Sequence, residues 1–291
     1  MWKVFHCTSI GYSHIKANKV CQDYSDSYED KERKIVTACD GHGGALYVRS
    51  DRGSRFASEA AINVLKSVNI GDLKSLHKQE TEKRLRLKIL CEWNALVESD
   101  LANKPLTDEE TSALDDDQKF RLTVNPVKAY GTTLNAAMVI GDKIVCVGIG
   151  DGGVFFLKGK TLLEMKEDAD EEEPVANITY SMCQEDAYKH IVVGIFDGKD
   201  IDSVIVCTDG TVNPYRNYEN FRVSFVLPIT EKFKEGEEGE ITEFMKKLGE
   251  EIGIGDDVSV AILQKVEKKK EKGLYKNPKY GDLYTFPVYK K

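Results

Sequence analysis

Ile35-Val36-Thr37-Ala38-Cys39-Asp40-Gly41-His42-Gly43-Gly44 is the stretch on which the fold and the chemistry turn. Its first half is apolar and rich in β-branched residues, the composition of a buried strand. The run ends in a carboxylate. A glycine follows, which lets the chain turn sharply and lets another group approach the backbone. An imidazole lies two residues past the carboxylate. A carboxylate and a histidine at the rim of a sheet suit hard-metal chemistry.

Working outward, residues 2 to 10 read as a strand, and a polar segment holding Cys21-Gln22-Asp23-Tyr24 separates it from the strand at 33 to 39. From Ala45 to Val68 apolar residues recur at helical spacing, and a Lys-, Arg-, Glu- and Leu-rich stretch from Leu73 to Leu101 predicts a second helix. Helix formers also dominate Thr107 to Phe120. Beyond Gly131 the pattern changes. Leu134 to Ile140, Lys143 to Ile149, Gly153 to Leu157 and Thr161 to Met165 are short apolar runs separated by Gly-Asp, Asp-Gly and Lys-Gly-Lys, which predicts a meander of hairpins. Glu167 to Glu173 reads as a solvated loop or flap. Strands resume at His190 to Phe196 and Ser203 to Cys207, helices at Thr230 to Gly253, and a last strand fits Val258 to Leu263. This order predicts an α+β fold in which helices cover antiparallel sheets. Residues 265–291, lysine-rich and then aromatic and basic, read as a peripheral tail.

The chain has 291 residues, 41% hydrophobic and 31% charged, a globular composition. Its net charge of −8 argues against a nucleic-acid partner. A phosphorylated substrate remains compatible, because bound cations invert the local field. The seven cysteines are scattered, form no CxxC pair and sit mostly in apolar runs, which predicts free thiols in a reducing compartment. None has an arginine six residues on, as a cysteine-nucleophile phosphatase requires. Neither a signal peptide nor a membrane span is evident, so a cytoplasmic location is expected.

The carboxylates differ in context. Asp197-Gly198, Gly141-Asp142 and Gly281-Asp282 read as hairpin turns. Gly150-Asp151-Gly152-Gly153 is open between a tight turn and a site. Asp209-Gly210 follows the apolar Val204 to Thr208 and precedes Thr211-Val212-Asn213-Pro214 rather than a strand, which makes Asp209 a ligand candidate. Asp256-Asp257 stand on the threshold of the last strand. If these ends converge, Asp23, Asp40, Asp209 and Asp256 form one site, with Asp151 near. A set of carboxylates without cysteine or imidazole ligands is a poor fit for zinc and a good one for Mg²⁺ or Mn²⁺. Two such ions sharing a carboxylate would activate water and clamp a phosphoryl group. Gly153 to Thr161 is not a P-loop: five residues separate its glycines, not four, and its interior is a strand. Of the five histidines, only His42 has a chemical context.

Taken in order, these motifs resemble the metal-dependent serine/threonine protein phosphatases of type 2C, in their compact bacterial-type branch. Cys21-Gln22-Asp23, Cys39 to Gly44, Gly131-Thr132-Thr133, Gly150-Asp151-Gly152, Thr208-Asp209-Gly210 and Asp256-Asp257-Val258-Ser259-Val260 carry the likeness. It spans residues 1–264, the implied catalytic domain, and leaves 265–291 as a tail. The resemblance implies a central β-sandwich of two antiparallel sheets flanked by helices on both faces. It implies two Mg²⁺ or Mn²⁺ ions, with Asp40 bridging them, the Gly41 carbonyl on one, and Asp209 and Asp256 completing the other. Asp23 would orient the attacking water, and Asp151 would serve a weak third ion. Water would attack phosphorus directly, with His42 as general acid to the departing serine or threonine oxygen.

A phosphorylated protein substrate, a cognate Ser/Thr kinase and a monomeric state come with that reading. Three departures stand out: Gln22 where the family often has glutamate, Asn18 where it often has a phosphate-gripping arginine, and Asn213 where some members have an acidic ligand. Lys16, Lys19, Arg49 and Arg52 are candidate replacements for the arginine. A pseudophosphatase acting as a regulatory binding module is the alternative, and a small-phosphoester hydrolase is a third reading.

Overall fold

A computed structural model describes residues 1–73, 78–165 and 179–266. Among these residues, ten strands form two five-stranded sheets in which each strand is antiparallel to its neighbours. They are β1 (Trp2–Ser9), β2 (Tyr24–Glu29), β3 (Arg33–Cys39), β4 (Leu134–Ile140), β5 (Lys143–Ile149), β6 (Gly153–Lys158), β7 (Thr161–Glu164), β8 (Val192–Asp197), β9 (Ser203–Cys207) and β10 (Val258–Lys265). One sheet runs β1-β10-β9-β6-β7, the other β2-β3-β4-β5-β8.

The helices are α1 (Tyr12–Lys16), α2 (Ser50–Lys66), α3 (Lys78–Asn103), α4 (Asp116–Val124), α5 (Ala187–His190), α6 (Asp209–Val212), α7 (Tyr218–Phe221), α8 (Leu227–Glu235) and α9 (Glu238–Lys247). Three apolar layers hold the elements together. Between the sheets lie Val36, Ala38, Val139 and Cys146 of one and Val154, Phe156, Val206 and Leu263 of the other. The outer face of the β3 sheet, with Ile35, Met138 and Val145, packs on Ala57 and Leu65 of α2 and on Ile89 and Trp93 of α3. The outer face of the β9 sheet, with Phe155, Ile205 and Ile262, packs on Phe233 of α8 and Met245 of α9. Strands buried on both faces need apolar side chains at every position, so β4, β9 and β10 read as continuous apolar runs instead of alternating ones. The result is the α+β sandwich that the sequence implied, with helices on both faces.

Some expectations are corrected. The polar Tyr24-Ser25-Asp26-Ser27-Tyr28-Glu29 is a strand, β2, at the edge of its sheet. The meander is not continuous: β4–β5 and β6–β7 are hairpins, but Gly150 to Gly152 carries the chain from one sheet to the other. Asp197-Gly198 does the same between β8 and β9, and is no hairpin turn; the Gly198 N–H donates to the Asp142 carbonyl at 2.7 Å. α2 begins at Ser50, not near Ala45, and the helix expected over Thr107 to Phe120 begins at Asp116. There Asp115 and Gln118 close a capping box, while Thr107 and Glu110 bond to each other in a turn upstream. The stretch from Thr230 to Gly253 is interrupted at Gly236, which has φ +84° and closes α8. Gly141-Asp142 and Lys158-Gly159-Lys160 are the hairpin turns expected. β10 runs through Lys265, two residues past the strand end expected at Leu263. The Glu167 to Glu173 loop, the tail beyond 266 and Gly281-Asp282 lie outside the described residues. Among the described residues no helix is long and apolar enough to cross a membrane.

Candidate metal centre

Strand register alone brings the carboxylates to one end of the sandwich. Tyr24 pairs with Cys39, so Asp23 and Asp40 flank the same end of the β2–β3 hairpin. Gly153 pairs with Cys207; continuing that register by two residues sets Asp151 opposite Asp209. Val260 pairs with Cys207 as well, which leaves Asp256 to lead into β10 at the same rim. One carboxylate oxygen each from Asp40, Asp151 and Asp209 lies within 4.8 Å of the others. The tight turn and the site were the two readings of Asp151; it is a member of the cluster. Asp23 and Asp256 adjoin it and are felt electrostatically by Asp40.

Asp40 is held through its backbone and the other carboxylates through their side-chain oxygens. The Asp40 N–H donates to Thr133 Oγ1 (3.0 Å), and its carbonyl accepts from Thr133 N–H (2.8 Å) and Thr132 Oγ1 (2.9 Å). Gly41 is squeezed: a Cβ there would stand 2.6 Å from the carbonyl oxygens of both Gln22 and Ser50, so no other residue fits. Asp23 is 6% exposed and accepts Thr208 Oγ1–H at 2.8 Å. Asp209 opens α6 and accepts from Asn213 Nδ2 at 2.9 Å; Asp151 accepts from Thr179 Oγ1 at 2.5 Å. Asp257, 2% exposed, accepts the N–H groups of Gly11 and Gln22, each at 2.6 Å, and faces His14 Nδ1 at 2.9 Å. It thereby ties α1, the Asp23 segment and the Asp256 loop together.

Electrostatically the cluster is overloaded with negative charge. Burial, then the Asp209, Asp256 and Asp151 charges, lifts Asp40 to about 8. Burial, then Asp151 and Asp256, lifts Asp209 to about 6. Asp23 is raised well above the usual carboxylate range by burial and by Asp40, against the Thr208 hydrogen bond. Asp256 is also raised, first by burial. Carboxylates crowded in this way keep their protons or take a cation. The donor set is all oxygen, with no cysteine or imidazole in the cluster, so it fits Mg²⁺ or Mn²⁺. His42 stands beside it, its N–H donating to the Gly131 carbonyl (3.0 Å) and its carbonyl accepting from Gln22 Nε2 (3.2 Å). Burial lowers its pKa; the Asp151 charge works the other way.

Two of the four candidate phosphate-gripping residues are engaged by structural partners. The buried Arg49 guanidinium is spent on Glu110 Oε1 and Oε2, the carbonyls of Lys104 and Pro105, and Tyr130 Oη. Arg52 donates to Asp100 at 2.8 Å. Both serve to lock α2 to the Lys104–Glu110 turn and α3. Lys16 and Lys19 remain exposed, with no ion pair to a described residue, and Asn18 sits between them at φ +53°. Reading the sequence missed His14, Asn213, Thr208 and Asp257 as supports. The signal available was Asp257 itself, the second of a carboxylate pair that could not both face one site unpaired.

A family model described as protein phosphatase 2C matches residues 10–248, and the chain belongs to that family. It is accordingly a protein serine/threonine phosphatase by class, in a family that is metal-dependent. The matched span stops short of Asp256. Solved structures share the fold at low identity. A bacterial serine phosphatase is 15% identical, with a TM-score of 0.57, covering 92% of this chain and 100% of that one. Stp1 from Staphylococcus aureus is 15% identical, with a TM-score of 0.57 and coverages of 92% and 96%. The catalytic domain of the serine/threonine phosphatase PstP, solved in complex with two manganese ions, is 15% identical, with a TM-score of 0.54 and coverages of 91% and 99%. No curated protein sequence matches this chain.

Proposed function

We propose that this chain hydrolyses phosphoserine and phosphothreonine on proteins, using two Mg²⁺ or Mn²⁺ ions held at the rim of the sandwich. The observation that carries the reading is the convergence of Asp40, Asp151 and Asp209 within 4.8 Å, from three separate strand ends, with Asp23, Asp256 and His42 beside them. Asp40, the Gly41 carbonyl, Asp209 and Asp256 would hold the two ions, and Asp151 would hold a weak third. The ions, when bound, neutralise phosphate charge and generate the nucleophile at neutral pH. Asp23 holds and orients water at the cluster. His42 protonates the departing alkoxide. Lys16 or Lys19 meets the phosphate, since Arg49 and Arg52 are occupied.

The free state of all seven cysteines supports a reducing, cytoplasmic setting, where a Ser/Thr kinase would supply the substrate. We take the active unit to be a monomer and residues 1–264 to be the catalytic domain. The test is Mn²⁺-dependent hydrolysis of a phosphothreonine peptide and of p-nitrophenyl phosphate. Turnover should be lost with Asp40→Asn and Asp209→Asn, by about a hundredfold or more. No turnover by the wild type, with no Mn²⁺ binding by calorimetry, would favour the binding-module reading, which the occupied arginines motivate. Turnover of the aryl ester without the peptide would favour a small-phosphoester hydrolase.

A further inference from the structure

A histidine that donates a proton at a defined place needs its ring fixed, commonly by a hydrogen bond to the second ring nitrogen. His42 is held otherwise. Its hydrogen bonds to described residues all run through its backbone. Its ring instead packs on Tyr47, with ring centroids 4.9 Å apart and planes inclined by 60°. Gly131 closes the third side. A Cβ built there would stand 2.3 Å from Tyr47 Cδ1 and 2.9 Å from His42 Cδ2, so both rings lie against a bare Cα.

Tyr47 is well placed to act as a wedge. Its N–H donates to the Gly44 carbonyl (3.0 Å) and its own carbonyl accepts from Ser50 N–H (3.1 Å). Two residues on, the Arg49 N–H donates to the Ala129 carbonyl (2.9 Å), while the guanidinium is anchored by five further bonds. The turn is therefore rigid, stitched to residues 129–131 at both its His42 and Arg49 ends. The Tyr47 ring is partly buried against the α2–α3 core. Its hydroxyl has no hydrogen bond to a described residue, so the contact with His42 belongs to the ring.

We propose that Tyr47 is the positioning residue for His42: its ring, backed by the rigid 44–50 turn, presses the imidazole against Gly131 and keeps it beside the carboxylate cluster. This rests on the phosphatase reading above. In the step concerned, a water oxygen forms a bond to phosphorus as the phosphorus–oxygen bond to serine or threonine breaks. The attacking water loses a proton to solvent, the departing alkoxide takes a proton from the His42 imidazolium, and the neutral imidazole left behind regains its proton from solvent, so the protons balance. Help of this kind matters for an alkoxide and hardly at all for p-nitrophenolate, a stable anion.

The experiment compares two substrates on Tyr47→Leu, Tyr47→Ala and Tyr47→Phe in the full chain with Mn²⁺. With Leu or Ala, kcat on a phosphothreonine peptide should fall about 30-fold or more, a good part of what general acid catalysis supplies. On p-nitrophenyl phosphate it should change less than about threefold. Phe should restore the peptide rate. A second readout needs no turnover: in the wild type the His42 Hδ2 proton should carry an aromatic ring-current shift by NMR, retained in Tyr47→Phe and lost in Tyr47→Leu. Equal losses on both substrates, no loss on either, or absence of the ring-current shift in the wild type would overturn the proposal. A wild type that turns over neither substrate would instead overturn the phosphatase reading itself, and is distinct from all of these.

Discussion

Asp40 is stabilising to no one in the metal-free protein. Its carboxylate is crowded by Asp209, Asp256 and Asp151, which lift its pKa to about 8. Asp40→Asn should therefore raise the melting temperature of the metal-free protein while removing the rise that Mn²⁺ brings; scanning calorimetry with and without Mn²⁺ checks both. Asp257 is the opposite case. It satisfies the buried N–H groups of Gly11 and Gln22, and Asp257→Ala orphans both. The expected loss is about 3 kcal/mol, read by urea unfolding. The convergence of Asp40, Asp151 and Asp209 was legible because Asp40 and Asp209 end apolar runs and Asp151 follows one. What holds them was not. Thr208, Asn213 and His14 reach their carboxylates across 185, 4 and 243 positions, and only the 4-residue separation is a local one that a pattern could reveal.

At the scale of elements, apolar runs long enough to be buried on both faces revealed β3, β4, β5, β9 and β10. β2 escaped because an edge strand need not be apolar throughout; Tyr24 to Glu29 has the charged and polar character that protects an edge. The crossovers at Gly150 to Gly152 and Asp197-Gly198 escaped too, since Asp-Gly turns a chain equally well within a sheet and between sheets, and only packing decides. The late start of α2 has a physical cause at Arg49, whose backbone N–H donates to the Ala129 carbonyl and not to a carbonyl four residues back. Arg49→Lys keeps the charge but loses the planar fork, leaving carbonyls and a carboxylate without donors. It should cost about 2–4 kcal/mol in chemical denaturation and loosen the turn that carries Tyr47.

For the whole molecule, the acidic rim couples pH, metal and stability. The raised carboxylates bind protons more tightly in the folded chain than in the unfolded one, where the reference value is 3.8. Their contribution to stability is complete below about pH 4 and is lost as pH rises through about 6 for Asp209 and about 8 for Asp40. The melting temperature of the metal-free protein should thus fall between pH 5 and pH 8 more than that of an Asp40→Asn, Asp209→Asn double variant. A metal competes with those protons, so the stabilisation by Mn²⁺ should grow over the same interval. Equal pH slopes for the two proteins, measured by thermal melting, would contradict this account.

The pairing of β1 with β10 bears on how the molecule comes into being. β10 lies between β1 and β9, and the loop leading into it brings Asp256 to the rim and Asp257 to the amides of Gly11 and Gln22. β1 therefore has to wait for β10 before its sheet is complete. A nascent polypeptide lacking residues 256–265 has no finished rim. Assembly of the acidic rim therefore includes the closure of a loop of more than two hundred residues, the one that joins Gly11 and Gln22 to Asp257.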